Sequence, residues 1–386
     1  MSKLQLPPSA TLAIHPTRLL FLDGIRGILA LAVALSHIYA SLTGWDPHRP
    51  FGGGFFAVDC FFVMSGFVLT HTLTQKPDSW AGYFGRRWAR LWPLHIASMA
   101  LVLVILLNNR VNGLFLPEWW HQRFGLAVWV NIAMLQEFSW WQGVANQTLN
   151  LPAWSIAVEF WVSGLMLYPL VRGRGYVALC LSIAAYAALC WHASHPLQVV
   201  EGIGLPLSGG CLRGIGGIAL GNAVYKLVTY LRRRPPITSV SVSYGKYVFL
   251  LPVAFLVYTG EDQYCWWMLV SFVLFIIVAS LETRRDRILG SAVPVWLGEI
   301  SFSVYLVHMP VLLWLQPGGY AHAVGNALAA LYILALGVVL AALTHYGFEA
   351  PSRRYLYGLL RPRRQDHPHP CEPGDGIGQQ PTSSLA

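Results

Sequence analysis

An arginine and a histidine, Arg26 and His37, stand eleven residues apart in one apolar stretch of this 386-residue chain. Eleven residues are close to three helical turns, so a helix puts both side chains on one face, about 16 Å apart along its axis. An ionisable group inside an apolar helix needs a partner or a water-filled cavity, and so marks a site. Two carboxylates, Asp59 and Glu159, lie in two other apolar stretches. The depths of His37, Asp59 and Glu159 lead us to expect them to converge in the outer half of a helix bundle. A histidine of near-neutral pKa takes a proton from a hydroxyl nucleophile, while a carboxylate on its other nitrogen fixes the tautomer and stabilises the imidazolium. Acyl transfer to a hydroxyl needs that arrangement. The blander alternative is that Arg26 pairs with Asp23, three residues back, and that His37 only packs. No Gly-x-Ser-x-Gly elbow occurs, so Ser65 and Ser155 read as helix hydrogen-bonding residues, not nucleophiles.

Arg87 and Arg90, in the cluster Gly85-Arg86-Arg87-Trp88-Ala89-Arg90, are three apart and share a helical face. Two adjacent guanidinium groups suit phosphates, and with Arg26 on the same side they suggest a cytosolic coenzyme A site; the alternative is a lipid-headgroup anchor. Trp119, Trp120, Trp140 and Trp141 form either an interfacial belt or, for Trp140 and Trp141 in particular, a surface on which a sugar ring stacks. Six scattered cysteines show no metal spacing or disulfide framework, and no metal site is expected.

The elements that must hold these residues are membrane helices. With 55% hydrophobic and 11% charged residues, the chain has too little polar surface to wrap a soluble core. Apolar stretches fall at roughly 19–42, 53–74, 91–109, 124–138, 153–171, 175–192, 209–230, 245–260, 265–282, 293–315 and 323–347. The net charge of +9 comes from short basic clusters between them, which are topology signals and not a nucleic-acid surface. Eleven crossings would scatter those clusters over both sides. The stretch 124–138 is the shortest and most polar, and as a re-entrant or interfacial segment it leaves ten. All of the 26 Lys and Arg residues except Arg26, Arg49, Arg110, Arg123 and Arg213 then face the cytosol, with both termini. The expectation is an all-α polytopic bundle: a cytoplasmic segment 1–16, a membrane domain 17–356 and a disordered cytoplasmic tail 357–386. The first apolar segment, interrupted by Asp23 and Arg26, is expected to be retained and not cleaved as a signal peptide.

Several segments, in order, resemble the acyltransferase-3 family. Leu22-Asp23-Gly24-Ile25-Arg26-Gly27 through His37 is similar to its opening Arg-x10-His signature, Val58–Phe67 to its second motif, and Arg87-Trp88-Ala89-Arg90 to its Arg-x-x-Arg motif. Trp154–Glu159, Leu297–His308 and Glu349-Ala350-Pro351 follow. The resemblance implies a ten-helix inner-membrane core that uses an acyl-coenzyme A, commonly acetyl-coenzyme A, as co-substrate to O-acylate polysaccharides, lipopolysaccharide, glycolipids or small molecules. It implies catalytic roles for Arg26 and His37 and a donor-holding role for Arg87 and Arg90. Glu159, Trp154 and Tyr305 are further candidates by motif. Family members often carry a second acid where this chain has Phe160, and longer relatives add an extracytoplasmic hydrolase-like domain after the region of Pro351, so the membrane unit is expected to act alone or with another chain. The acceptor is expected to be an exopolysaccharide or a lipid-linked sugar, with the bilayer and polysaccharide-assembly proteins as partners. The rivals are a secondary transporter or flippase, against which stands the lack of an internal repeat, and a non-catalytic assembly subunit.

Overall fold

The computed structural model describes residues 19–44, 49–111, 124–138, 148–200, 203, 205, 207–234, 244–282, 286–316 and 325–360. Eight helices in these residues are long and apolar enough to cross a bilayer. They are α1 (Leu20–Thr43), α2 (Phe56–Gln75), α3 (Trp80–Val111), α5 (Ala153–Arg172), α6 (Gly175–His192), α9 (Asp262–Leu281), α10 (Ala292–Leu315) and α11 (Asn326–Leu360). Two more complete a bundle of ten: α7 (Gly209–Leu231), whose apolar run is broken by Arg213 and Lys226, and the shorter α8 (Lys246–Thr259), which opens with a 3₁₀ turn. Inside 124–138, helix α4 covers only Phe124–Ile132, and its nine residues rise about 13 Å, less than half the hydrocarbon thickness. No strand forms among the described residues; Phe138 and Leu207 make one isolated antiparallel bridge.

Two expected limits move. Helix α3 starts at Trp80, not near residue 91, so Arg87 and Arg90 lie well inside a helix of 32 residues and not at its mouth. The boundary placed at 356 falls within the last helix, which continues through a π turn at His345–Glu349 to Leu360. Residues 1–16 and 361–386 lie outside the described residues.

Small residues set which helices touch. Gly27 of α1 rests against the backbone of Leu297 and Gly298 in α10, and ten residues further along each helix His37 meets His308. Equal offsets at both contacts mean that α1 and α10 run parallel and in register. Helix α7 is the hub of the other half. Its Gly217 and Gly221 lie on the backbone of α2 near Phe62, Val63 and Phe67, and Gly216 takes the ring of Tyr186 from α6. Without a hydrophobic drive between helices in lipid, such close approach supplies the dispersion contact that holds them. The start of α7 is fixed by Ser208, whose Oγ accepts from the Cys211 N–H at 3.1 Å. Helices α10 and α11 are tied by Glu349, which accepts from Ser303 Oγ at 2.7 Å and lies 2.9 Å from His345 Nδ1.

Candidate active site

The polar residues of the bundle gather in three places. In the first, the rings of His37 of α1 and His308 of α10 lie edge to edge with centroids 5.1 Å apart, and His37 Nδ1 lies 2.9 Å from His308 Nε2. Arg49, buried in the segment after α1, acts electrostatically on His37. His308 also borders a narrow apolar crevice among Ala34, Ile38, Val304, Ile333 and Gly337.

In the second, Asp59 of α2 and Arg213 of α7 form an ion pair with both side chains 0% exposed. Arg213 donates from Nη2 to Asp59 Oδ2 at 2.7 Å, from Nε to Oδ1 at 3.2 Å, and from Nη2 to the Phe55 carbonyl at 3.1 Å. Its guanidinium carbon sits 5.1 Å above the Trp154 ring, whose other neighbour is Phe62, packed edge-on. Desolvating two charges together is tolerated only when each is paired and hydrogen-bonded, which these contacts provide.

In the third, Glu159 of α5 accepts from Arg87 Nη2 at 2.8 Å and from Ser65 Oγ at 2.7 Å. The Arg87 side chain is 4% exposed. Arg90, one turn on, is half-buried and makes no ion pair among the described residues, although Glu159 lies within its electrostatic reach.

Tyr305 joins the first place to the third. It lies one turn before His308, its ring packs edge-on to Phe61, and its hydroxyl is 2.7 Å from Ser155 Oγ. Ser155 spends its hydrogen on the Pro152 carbonyl, so Tyr305 is the donor. Ser155 is in turn one turn before Glu159 on α5.

Asp59 and Glu159 are engaged by arginines from other helices, and the ring of His37 meets a second imidazole, His308. Arg26 pairs with Asp23 three residues back, as the blander reading had it, and makes a further contact besides. Ser65 donates to Glu159, and Ser155 bonds both the Pro152 carbonyl and the Tyr305 hydroxyl. Trp154 and Tyr305 are both buried and engaged within the bundle. Trp119, Trp120, Trp140 and Trp141 lie outside the described residues.

A bundle of polar clusters suits several membrane activities, and comparison with known proteins decides among them. The acyltransferase domain family matches residues 19–346, nearly the whole of the described chain. The chain belongs to the acyltransferase-3 family. This acyltransferase is 29% identical to the acyltransferase MdmB of Streptomyces mycarofaciens, over 89% of its own length and 94% of that protein's. It is also 29% identical to the putative membrane-bound transacylase BcsY of Komagataeibacter xylinus, over 75% of its length and 72% of the relative's. The peptidoglycan O-acetyltransferase OatA of Listeria monocytogenes is 23% identical over 77% of this chain, which spans half of OatA. No solved structure matches. The family favours a transferase over the transporter or flippase alternative.

Two residues of these polar clusters carried no role in the sequence reading. Arg213 counted only as an exception to the charge rule, yet an intramembrane cation demands an intramembrane acid, and Asp59 was the acid still lacking a cation. His308 closed a motif; its signal is that it follows Gly298 by ten residues, as His37 follows Gly27.

Proposed function

We propose that this acyltransferase moves an acyl group, acetyl in the first instance, from an acyl-coenzyme A reaching the bundle from the cytosol to a sugar hydroxyl of an exopolysaccharide or other cell-surface glycan. It acts as a multi-pass protein of the inner membrane with both termini cytosolic. The observation that carries this reading is the contrast within the Arg-x-x-Arg pair: Arg87 is immobilised by Glu159, while Arg90 has a guanidinium uncommitted to any ion pair among the described residues. A fixed cation shapes one wall of a phosphate site and a second, mobile one can close on the ligand. The names of OatA, an O-acetyltransferase, and BcsY, a transacylase, support the acyl and glycan classes.

The chemistry runs through His37. Its imidazole takes the proton of the acceptor hydroxyl as the oxygen bonds to the thioester carbonyl carbon. The carbon–sulfur bond then breaks, and the departing coenzyme A thiolate takes the proton back from the imidazolium. An acyl-histidine formed first also balances: the imidazole nitrogen bonds to the thioester carbonyl carbon as the thiolate leaves, and the thiolate then takes the acceptor hydroxyl's proton as its oxygen attacks the acyl carbon and releases the imidazole. Arg26, a few turns toward the cytosolic end of α1, lines the path of the donor's pantetheine arm, and Trp140, Trp141, Trp154 and Tyr305 shape the acceptor side.

The test is transfer of labelled acetyl from acetyl-coenzyme A to an oligosaccharide by purified protein in detergent. Arg90→Ala is expected to raise KM for the donor about ten- to a hundredfold, the worth of a charge-assisted hydrogen bond of about 1.5–3 kcal/mol, with little change in kcat. An unchanged donor KM would remove Arg90 from the donor site, and glycan transport without transfer would overturn the whole reading.

A further inference from the structure

The contact between His37 and His308 has only one arrangement of hydrogens for two neutral rings, and a backbone carbonyl dictates it. His308 Nδ1 lies 3.0 Å from the carbonyl of Val304, four residues back in the same helix. A carbonyl only accepts, so His308 Nδ1 carries the hydrogen and His308 Nε2 carries the lone pair. That lone pair faces His37 Nδ1 at 2.9 Å. His37 Nδ1 must then donate, and the basic atom of His37 is Nε2.

We propose that His308 is the positioning residue of the transfer reaction: it locks His37 in the Nδ1–H tautomer and so presents Nε2 as the proton acceptor. This inference rests on the reading of His37 as the base. When His37 takes the acceptor's proton at Nε2, it holds hydrogens on both nitrogens. The bond from Nδ1 to His308 then becomes charge-assisted and strengthens as charge develops. A carboxylate would do the same work at the cost of a permanent anion beside apolar Ala34, Ile38 and Val304; a neutral imidazole avoids that cost. The other groups facing the pair are Arg49, which acts on His37, and Tyr305, which packs edge-on to His308 with ring centroids 6.2 Å apart. The parallel register of α1 and α10 holds the two rings edge to edge and nearly coplanar, with 17° between their planes, as an N–H···N bond requires.

The experiment compares His308→Phe, which keeps a ring but has no lone pair, with His308→Gln, whose amide oxygen can accept where Nε2 did. Purified proteins are assayed with acetyl-coenzyme A. The ¹⁵N resonances of His37, assigned by their disappearance in His37→Asn, report its tautomer. His308→Phe is expected to lower kcat by about 10²-fold with the donor KM unchanged, and to move His37 from a pure Nδ1–H tautomer to a mixture. His308→Gln is expected to recover kcat to within about tenfold and to restore the tautomer. If His308→Phe does not fold, His308→Asn, too short to reach, carries the same expectations. Wild-type kcat and tautomer in the Phe or Asn variant, alongside an inactive His37→Ala, sink the role of His308 alone; an active His37→Ala sinks the base on which it rests.

Discussion

His37→Ala is expected to lower kcat for acyl transfer by about 10²- to 10⁴-fold, the range a positioned acid–base group contributes. The donor KM stays near its starting value, because the substitution lies far from the arginine pair proposed to hold the phosphates. The fold survives. Removing the ring leaves one buried acceptor, His308 Nε2, without its donor, a loss of about 1–3 kcal/mol. Rates on purified protein measure the first effect and thermal denaturation in detergent the second. Labelled acetyl recovered on wild-type protein but not on His37→Ala would identify an acyl-histidine. A variant that acetylates its acceptor at the wild-type rate would show that the base lies elsewhere.

Asp59→Ala is expected to destabilise the protein by about 3–5 kcal/mol, because it strands the Arg213 guanidinium with 0% exposure and no counter-charge. Arg213 would keep only the Phe55 carbonyl and the face of Trp154. The double variant Asp59→Leu/Arg213→Met removes both charges together and is expected to regain most of the loss, since an apolar pair of similar volume often replaces a buried ion pair without penalty. Denaturation midpoints of the two single variants and the double form a mutant cycle that reports the coupling directly. Activity returning with stability assigns the pair to architecture. A stable double variant that remains inactive would return Asp59 to the chemistry.

Hydropathy and length were enough to read the spans, because a helix of about 20 apolar residues is the one solution the bilayer offers. The short stretch at 124–138 and the shared face of Arg87 and Arg90 follow from the same arithmetic. Lateral neighbours are another matter. Depth along its own helix put Asp59 level with His37, but depth says nothing of which helix stands beside which. That choice is made by contacts such as Gly221 against α2 and Gly27 against Gly298, where the absence of side chains draws two backbones together. A glycine seen alone in a sequence does not name its partner. Charge matching narrows the options: Asp59 with Arg213 and Glu159 with Arg87 each join one acid to one base, while the ring of His37 meets that of His308.

The pairing of α1 with α10 and α11 also bears on how the chain is made. Helix α1 is made well before its mates α10 and α11. At about 5–20 residues per second, the wait between α1 and α10 is on the order of tens of seconds. During that time the face of α1 bearing Asp23, Arg26 and His37 has none of its final neighbours from α10 or α11. Until then that polar face lies in the membrane without those helices to cover it, and the imidazole pair comes into being only once α10 has been made.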